Sequence, residues 1–298
     1  MSYRGRFAPT PSGPLHFGSI VAAAGSWLEA RTRAGEWQLR IDDLDPPRVA
    51  PGAAEDILRC LEAFALHWDG APVYQSTRGE AYRAAFEQLQ RSGLVYPCTC
   101  SRRQIAQRAV MGTDGPVYPG TCRNGMPPGA AVRTWRLRTA GAQVEFVDRV
   151  LGRQQRDLER ASGDFVLLRA DGVWSFQLAS AVDDAEMAMT DIVRGADLLE
   201  SSARQILVLE ALGHPVPTYA HLPVVVDAAG EKLSKQTLAP AADAARAGEL
   251  LADALRFLGQ EIPASSHADV RTVLDWALAH WDLSRVGRAP RNDRTSFQ

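Results

Sequence analysis

Lysine is almost missing from this chain: among 298 residues it stands only at Lys232 and Lys235, and arginine supplies every other basic position. Two ammonium groups three residues apart, in a chain otherwise biased to arginine, mark a place where a compact charge is needed and a guanidinium fork will not serve. Cysteine is scarce too, and four residues exclude a disulfide-dense scaffold. No run approaches the roughly 20 consecutive apolar residues of a membrane helix. Met1-Ser2-Tyr3-Arg4 leads straight into a polar, proline-rich segment, so no secretory signal is expected and a cytoplasmic location is. Internal repeats and low-complexity segments are lacking. The net charge of −2 does not single out a nucleic-acid binder. With 46% hydrophobic and 23% charged residues, the chain has the material for one large or two ordinary domains with real cores.

Local charge says more than the total. Between Cys98 and Arg138 stand Arg102, Arg103, Arg108, Arg123, Arg133, Arg136 and Arg138 against a single acid, Asp114. Such a run is either a solvated face or a track for a phosphate backbone. Three of the four cysteines, Cys98, Cys100 and Cys122, fall in the same stretch. They suit a tetrahedral zinc site short of one ligand, or they are unrelated buried thiols. Cys60, in an amphipathic segment, reads as a small buried hydrophobe.

The N-terminal half alternates strand-like and helix-like segments, which argues for a parallel α/β sheet. Strands are expected at Arg4–Ala8 and Trp37–Asp42, and helices at 19–34, 53–64 and 78–92. From Tyr96 to about Arg160 glycine, proline and arginine dominate and periodicity fades, so an inserted subdomain is expected. Strands resume at Phe165–Arg169, Ile192–Arg194 and His221–Val226. A serine-capped helix is expected over Ser201–Leu212, with Gly213 just past its end. Helices at 241–258 and 269–281 and a loose tail from Arg285 complete the reading.

Two motifs carry chemistry. After the first strand, Pro9-Thr10-Pro11-Ser12-Gly13-Pro14 turns into a helix that opens with His16-Phe17-Gly18-Ser19. A helix start with histidine and glycine presents backbone N–H groups and a positive dipole end to phosphate, with Gly18 permitting close approach. Far along the chain lies Lys232-Leu233-Ser234-Lys235-Gln236, whose ammonium groups suit the negative charge that develops on a triphosphate under attack.

In this order the two resemble the HIGH and KMSKS signatures of class I aminoacyl-tRNA synthetases. Three more stretches are similar to the glutamyl group of that class: Arg6 to Gly13, Leu39-Arg40-Ile41-Asp42-Asp43-Leu44-Asp45, and Val182-Asp183-Asp184 continued by Asp191 to Asp197. The resemblance implies glutamate contacts from Arg6, Ala8, Thr10, Asp42, Phe176 and Arg194, ATP contacts from His16, Gly18, Ser19 and Lys235, and catalytic roles for His16, Gly18, Lys232 and Lys235. Asp42 stands where the family has Glu, and Phe176 where Tyr is common. Tyr118 joins Cys98, Cys100 and Cys122 as the fourth zinc ligand in this resemblance, through the pattern C-x-C…Y-x-x-x-C. About 60 residues follow Gln236, too few for an anticodon-reading domain, and that length together with the zinc pattern resembles the glutamyl-queuosine tRNA(Asp) synthetases.

The expectation is therefore an α/β fold, a class I synthetase Rossmann-type parallel sheet with a zinc-bearing insertion and a small helical C-terminal part. Residues 1–95 and 164–238 are expected to form the two halves of the catalytic domain, 96–163 the arginine-rich insertion and 239–298 the helical part. The implied activity is tRNA-independent formation of glutamyl-adenylate from ATP, Mg²⁺ and L-glutamate, then transfer to queuosine of tRNA(Asp), by a monomer carrying one structural zinc. The alternatives are a truncated synthetase charging a tRNA 3′ end, and a non-catalytic zinc-stabilised RNA-binding module.

Overall fold

A computed structural model describes residues 2–226, 240–263 and 269–289. The chain opens with β1 (Arg4–Phe7), α1 (Phe17–Arg31), β2 (Glu36–Ile41), α2 (Ala53–Ala63), β3 (Val73–Tyr74) and α3 (Gly79–Arg91). It then leaves the sheet through β4 (Val95–Cys98), α4 (Arg102–Ala106), β5 (Met111–Gly112), β6 (Gly115–Pro116), β7 (Thr134–Leu137), β8 (Gln143–Asp148), β9 (Gly152–Asp157), α5 (Leu158–Ala161) and β10 (Val166–Leu168). It returns by α6 (Phe176–Glu186), β11 (Asp191–Gly195), α7 (Leu199–Leu212) and β12 (Thr218–Leu222), and ends on α8 (Ala247–Phe257) and α9 (Val270–His280).

β1 pairs in parallel with β2, Arg4 opposite Glu36 through Phe7 opposite Leu39, and β2 pairs in parallel with β3. On its other side β1 lies beside β11: the Thr190 N–H donates to the Arg4 carbonyl at 2.9 Å, and the Arg4 N–H to the Thr190 hydroxyl at 2.8 Å. β11 in turn pairs in parallel with β12. The strands thus read β3, β2, β1, β11, β12 across the molecule, and chain direction of winding reverses between β1 and β11. In such sheets the crevice outside the carboxyl ends of the strands at that reversal is where ligands sit.

α1 fixes this geometry. Its residues Ile20 to Ala30 are almost all buried, with little polar face, because the helix lies between the sheet and α8. Gly25 permits the closest approach: a Cβ there would come within 2.6 Å of Leu222 Cδ1 on β12. α8 and α9 close the other side of the same core through Leu251, Leu255 and Val273. A second core gathers α3, α6 and α7 around Tyr82, Leu178 and Leu209.

The observed elements depart from the sequence reading in four places. The strand expected at His221–Val226 lies at Thr218–Leu222, where four consecutive residues are buried and no alternation marks the register; Pro223 ends it. α7 begins at Leu199 with no side-chain cap, so Ser201 and Ser202 sit inside its first turn rather than capping it. Gly213 does close it, in the left-handed conformation (φ 77°). The stretch expected to be irregular contains a regular hairpin, β8 paired with β9, and β8 joins the main sheet with Asp148 opposite Tyr219. At the start of the segment expected to be loose, Arg285 closes a short 3₁₀ turn (Leu283–Arg285) and Val286 is buried in the main core, while 290–298 lie outside the described residues. No helix among the described residues is long and apolar enough to cross a membrane.

Gly163 shows how tightly the excursion is sewn to itself. It has φ +65°, and a Cβ would stand 2.9 Å from both the backbone N and O of Tyr118. Gly163→Ala is expected to destabilise the protein by roughly 2–4 kcal/mol, from left-handed backbone strain plus overpacking, read as a lowered urea midpoint at unchanged slope.

Candidate active site

The carboxyl ends of β1 and β11 and the start of α1 open onto a cavity of about 980 Å³. Arg6, Ala8 and Thr10 reach it from β1 and the following turn, and His16, Gly18 and Ser19 from the start of α1. Asp42 reaches it from the end of β2, Phe176 from the first turn of α6 and Arg194 from β11. Positions separated by up to 188 residues are thereby brought into one wall. Lys232 and Lys235 lie outside the described residues. The His16 ring covers Gly18, whose Cβ would be only 3.1 Å from His16 Cε1. No side chain caps α1 and no acid stands in its first turn, and its positive end lies at the cavity.

Beneath the cavity runs a network of buried charge. Arg6 donates from Nε and Nη2 to the two oxygens of Asp184 at 3.0 and 3.2 Å. Arg40 donates to Asp42 from Nε at 2.7 Å, to Asp184 from Nη1 at 2.7 Å and to the Ser180 hydroxyl at 3.1 Å. Asp183, next along α6, accepts from Gln75 Nε2 at 2.7 Å and from the Tyr82 hydroxyl at 2.9 Å. Burial raises the Asp42 carboxyl above its ordinary range, with Arg40 pulling the other way. For Asp184 the balance reverses: burial pushes upward, but Arg6 and Arg40 together hold it below the usual carboxylate range. The motif Val182-Asp183-Asp184 was visible in the sequence without a role; in the fold Asp184 holds Arg6 and Arg40, and Asp183 holds Gln75, Arg78 and Tyr82.

Arg194 is treated differently. It is 5% exposed, yet no carboxylate lies within 4.0 Å of it among the described residues. Its Nη2 donates to the Ser202 hydroxyl at 2.7 Å and to Gln205 Oε1 at 2.8 Å, both neutral. Its Nη1 finds no partner among the described residues. Burial, then the neighbouring Arg6, draws this guanidinium down to about 10. A buried cation at the wall of a cavity, with no counter-charge among the described residues, is an arrangement suited to an anionic ligand.

Behind Arg194 stand Ser202, His221 and Asp148. The Ser202 hydroxyl is 2.8 Å from His221 Nε2, and His221 Nδ1 is 2.6 Å from Asp148 Oδ2. The constellation resembles the serine–histidine–aspartate arrangement of hydrolases, but all three residues are buried and Ser202 is already engaged by Arg194 and the Leu198 carbonyl. It serves as a brace. Asp148 also accepts from the Val150, Leu151 and His221 N–H groups. Burial holds His221 below its ordinary value, so it stays neutral beside the cationic Arg194. Nothing in the spacing of these residues, 73 apart for Asp148 and His221, signalled the brace.

The cysteines form a second centre. Cys98, Cys100 and Cys122 place their sulfurs within 4.8 Å of one another. Cys100 and Cys122 are 3.8 Å apart, which is about the edge of a tetrahedron of thiolates ~2.3 Å from a metal. The Tyr118 hydroxyl lies 3.3 Å from Cys98 Sγ and 3.8 Å from Cys100 Sγ, so the fourth residue of the expected set is present. Although burial opposes it, hydrogen bonding to Thr99 and Tyr118 holds the Cys122 thiol at about 7. The donors thus fit a metal ion. Cys60 lies apart, packed against the main core, its thiol pushed by burial to about 11.

The arginine run is not one uniform face, and its members have different surroundings. Arg123 is bound to Asp164 (2.7 and 3.0 Å) and Glu159 (2.8 Å), while Arg136 and Arg138 lie over the rings of Tyr118 and Tyr96. Arg102, Arg103 and Arg133 instead line a second cavity.

A parallel sheet wound in this order, with the cavity at its reversal, is the architecture of a class I synthetase catalytic domain. Residues 2–257 match the family described as class I tRNA synthetases (E and Q), catalytic domain. Over 288 residues the chain is 57% identical to the Glutamyl-Q tRNA(Asp) synthetase of Chromobacterium violaceum, covering 97% of this chain and 96% of that one. It is 55% identical to the protein of the same name from Aromatoleum aromaticum, covering 96% and 91%. The chain belongs to this synthetase family, within its glutamyl-Q tRNA(Asp) group. Among solved structures, a glutamate tRNA ligase from Elizabethkingia meningosepticum in complex with its amino acid has a TM-score of 0.79 at 24% identity, covering 98% of this chain and 67% of that one. Methionyl-tRNA synthetase of Mycobacterium tuberculosis has a TM-score of 0.58 at 14% identity, covering 92% and 68%. Both likenesses are of fold.

The neutral His221 makes a pH prediction. Its folded-state value lies below the ordinary ~6.5, so below that pH the unfolded chain binds more protons and stability falls as pH drops. The urea midpoint of the parent is expected to fall between pH 7.5 and 5.5 by more than that of His221→Asn. Equal pH dependence in the two proteins would remove the neutral-histidine assignment.

Proposed function

We propose that the protein is a ligase that joins L-glutamate to ATP as glutamyl-adenylate without needing tRNA, and then transfers glutamate to queuosine in the anticodon of tRNA(Asp). The observation that carries this reading is Arg194, a buried guanidinium lacking a counter-charge, in the same cavity as the uncapped start of α1. One binds a carboxylate and the other binds phosphate.

In the first step a glutamate α-carboxylate oxygen attacks the α-phosphorus of ATP, and pyrophosphate leaves with the electron pair of the broken P–O bond. A carboxylate paired with a buried guanidinium is a poor nucleophile, so Arg194 takes the side-chain carboxylate and leaves the α-carboxylate to react. Arg6 supports it from β1, and Asp42 accepts the ammonium group, with Ala8, Thr10 and Phe176 shaping the pocket. His16, Gly18 and Ser19 hold the phosphates, ATP being the Mg²⁺ complex. Lys235, with Lys232, stabilises charge on the departing phosphates. No covalent enzyme intermediate is required; the site works by positioning and electrostatics. In the second step a hydroxyl of the queuosine ring attacks the adenylate carbonyl, AMP leaves, and the hydroxyl proton passes to it or to solvent.

In this reading residues 1–95 and 164–238 carry the catalytic halves, 96–163 the insertion and 239–298 the helical closure, in a cytoplasmic monomer. Cys98, Cys100, Cys122 and Tyr118 hold one zinc ion, which ties β4 to the loop that carries Tyr118 and Cys122 and supplies no chemistry to the reaction.

Three outcomes are expected. Lys235→Ala should lower glutamate-dependent ATP–pyrophosphate exchange by about 10²–10³ with the fold intact; exchange within about threefold of the parent, under roughly 1 kcal/mol of barrier, would contradict its role. Elemental analysis of protein purified without added metal should find one zinc per chain, and Cys122→Ser should lose it. Radiolabelled glutamate should attach to tRNA(Asp) that contains queuosine even when the 3′ ribose is blocked by periodate, the queuosine diol being protected. Labelling that needs no queuosine, or that vanishes when the 3′ end alone is blocked, would instead show a synthetase charging the 3′ end.

A further inference from the structure

A second cavity, of about 800 Å³, opens beside the first, between α6 and the cysteine-bearing segment. The two share a wall made of Thr10, Asp42, Arg48 and Phe176. His16, Gly18 and Ser19 line the first and not the second, so phosphates bound at the start of α1 leave the second cavity open.

Its walls contain polar groups that the fold does not use. Thr134 Oγ1, Arg136 Nε and Gln177 Oε1 are buried and find no hydrogen-bond partner among the described residues. Arg136 is itself only 7% exposed, stacked 4.0 Å over the Tyr118 ring and tied through Nη1 to the Asp164 carbonyl at 2.8 Å. Gln177 is oriented by its other end, where Nε2 donates to the Ser201 hydroxyl at 3.1 Å. A fixed N–H donor, a fixed carbonyl acceptor and a hydroxyl able to do either form the complement of a heterocycle with both donors and acceptors on its edge. Phe176, 37% exposed despite its size, supplies a flat apolar face at the shared wall.

The charge is right for a nucleotide. The carboxylates in the cavity are already matched: Asp42 with Arg40 at 2.7 Å, and Asp45 and Asp171 with Arg169 at 3.0 and 2.6 Å. Arg102, Arg103 and Arg133 are in no ion pair among the described residues, which leaves the lining positive. We propose that this cavity is the subsite for the base of the accepting RNA nucleotide, read by Thr134, Arg136 and Gln177, with Arg133 on a flanking phosphate. The proposal rests on the reading above that glutamate passes to a nucleotide of RNA. It places the acceptor across the Phe176 wall from glutamate, so that the two substrates meet where the cavities join.

Two variants test it in the full-length protein. Thr134→Val keeps shape and removes a hydroxyl that makes no bond among the described residues, and Arg133→Ala removes a charge with no ionic partner among them. Both are assayed for glutamate-dependent ATP–pyrophosphate exchange without RNA and for transfer of glutamate to queuosine-containing tRNA(Asp). Exchange, including the KM for ATP, should stay within about twofold, while kcat/KM for the RNA falls about fivefold to tenfold. Arg133→Ala should also lessen the salt dependence of transfer by about one phosphate contact. Transfer unchanged in both variants would overturn the subsite, as would a raised KM for ATP with unchanged transfer, which would give the cavity to adenine. If the parent labels the 3′ ribose instead of the wobble base, the proposed function fails. The subsite is then decided by the same variants, and unchanged 3′ labelling overturns it.

Discussion

Burying a guanidinium costs several kcal/mol unless a carboxylate or an equivalent set of acceptors compensates it. Three arginines stand under this cavity, and the protein compensates two of them. Arg6 and Arg40 are met by Asp184, Asp42 and Ser180, whereas among the described residues Arg194 receives only a serine hydroxyl, a glutamine carbonyl and a neutral histidine. In the proposed function a ligand brings the missing negative charge, and the rest of the site is arranged around that imbalance.

Sustaining the imbalance takes the whole sheet. Arg6 and Arg194 ride on β1 and β11, the two strands that flank the reversal, and Asp184 reaches across from α6. His221 on β12 and Asp148 at the end of β8 hold Ser202, and Ser202 holds Arg194. The pairing of β8 with β12, Asp148 opposite Tyr219, is therefore part of what holds Arg194 in place. A protonated His221 would place two cations side by side in a buried space. Burial, helped by the neighbouring Arg194, keeps it neutral against the pull of Asp148, and the Asp148 bond fixes one tautomer, with Nδ1–H toward the carboxylate.

Much of this was legible in the residues. The first strand, α1, β2, α2 and α3 appear within a few residues of their expected bounds, because each carries its own periodicity and its own turn chemistry. Arg6, Thr10, His16, Gly18, Asp42, Phe176 and Arg194 were each visible as motif positions, and the fold lines one cavity with them. The cysteine spacing correctly foretold a cluster. What escaped is what depends on contacts between distant residues. The brace joins Asp148, Ser202 and His221 from three elements, and no local pattern distinguishes a buried histidine that braces from one that packs. β8 and β9 were hidden because their outward residues, such as Glu145, Arg153 and Gln155, read as loop. β12 was misplaced because a strand buried on both faces has no alternation to fix its register.

The central claim, that Arg194 is an uncompensated charge awaiting a carboxylate, is tested most directly by calorimetric titration with L-glutamate and with L-glutamine. The two ligands are nearly the same size and differ in that charge. The parent should bind glutamate about tenfold to a hundredfold more tightly, the worth of one charge-assisted hydrogen-bonded contact. Arg194→Met, of similar bulk and without the charge, should stay folded and lose the preference. Equal binding of both amino acids by the parent, or a preference that survives in Arg194→Met, would contradict the account.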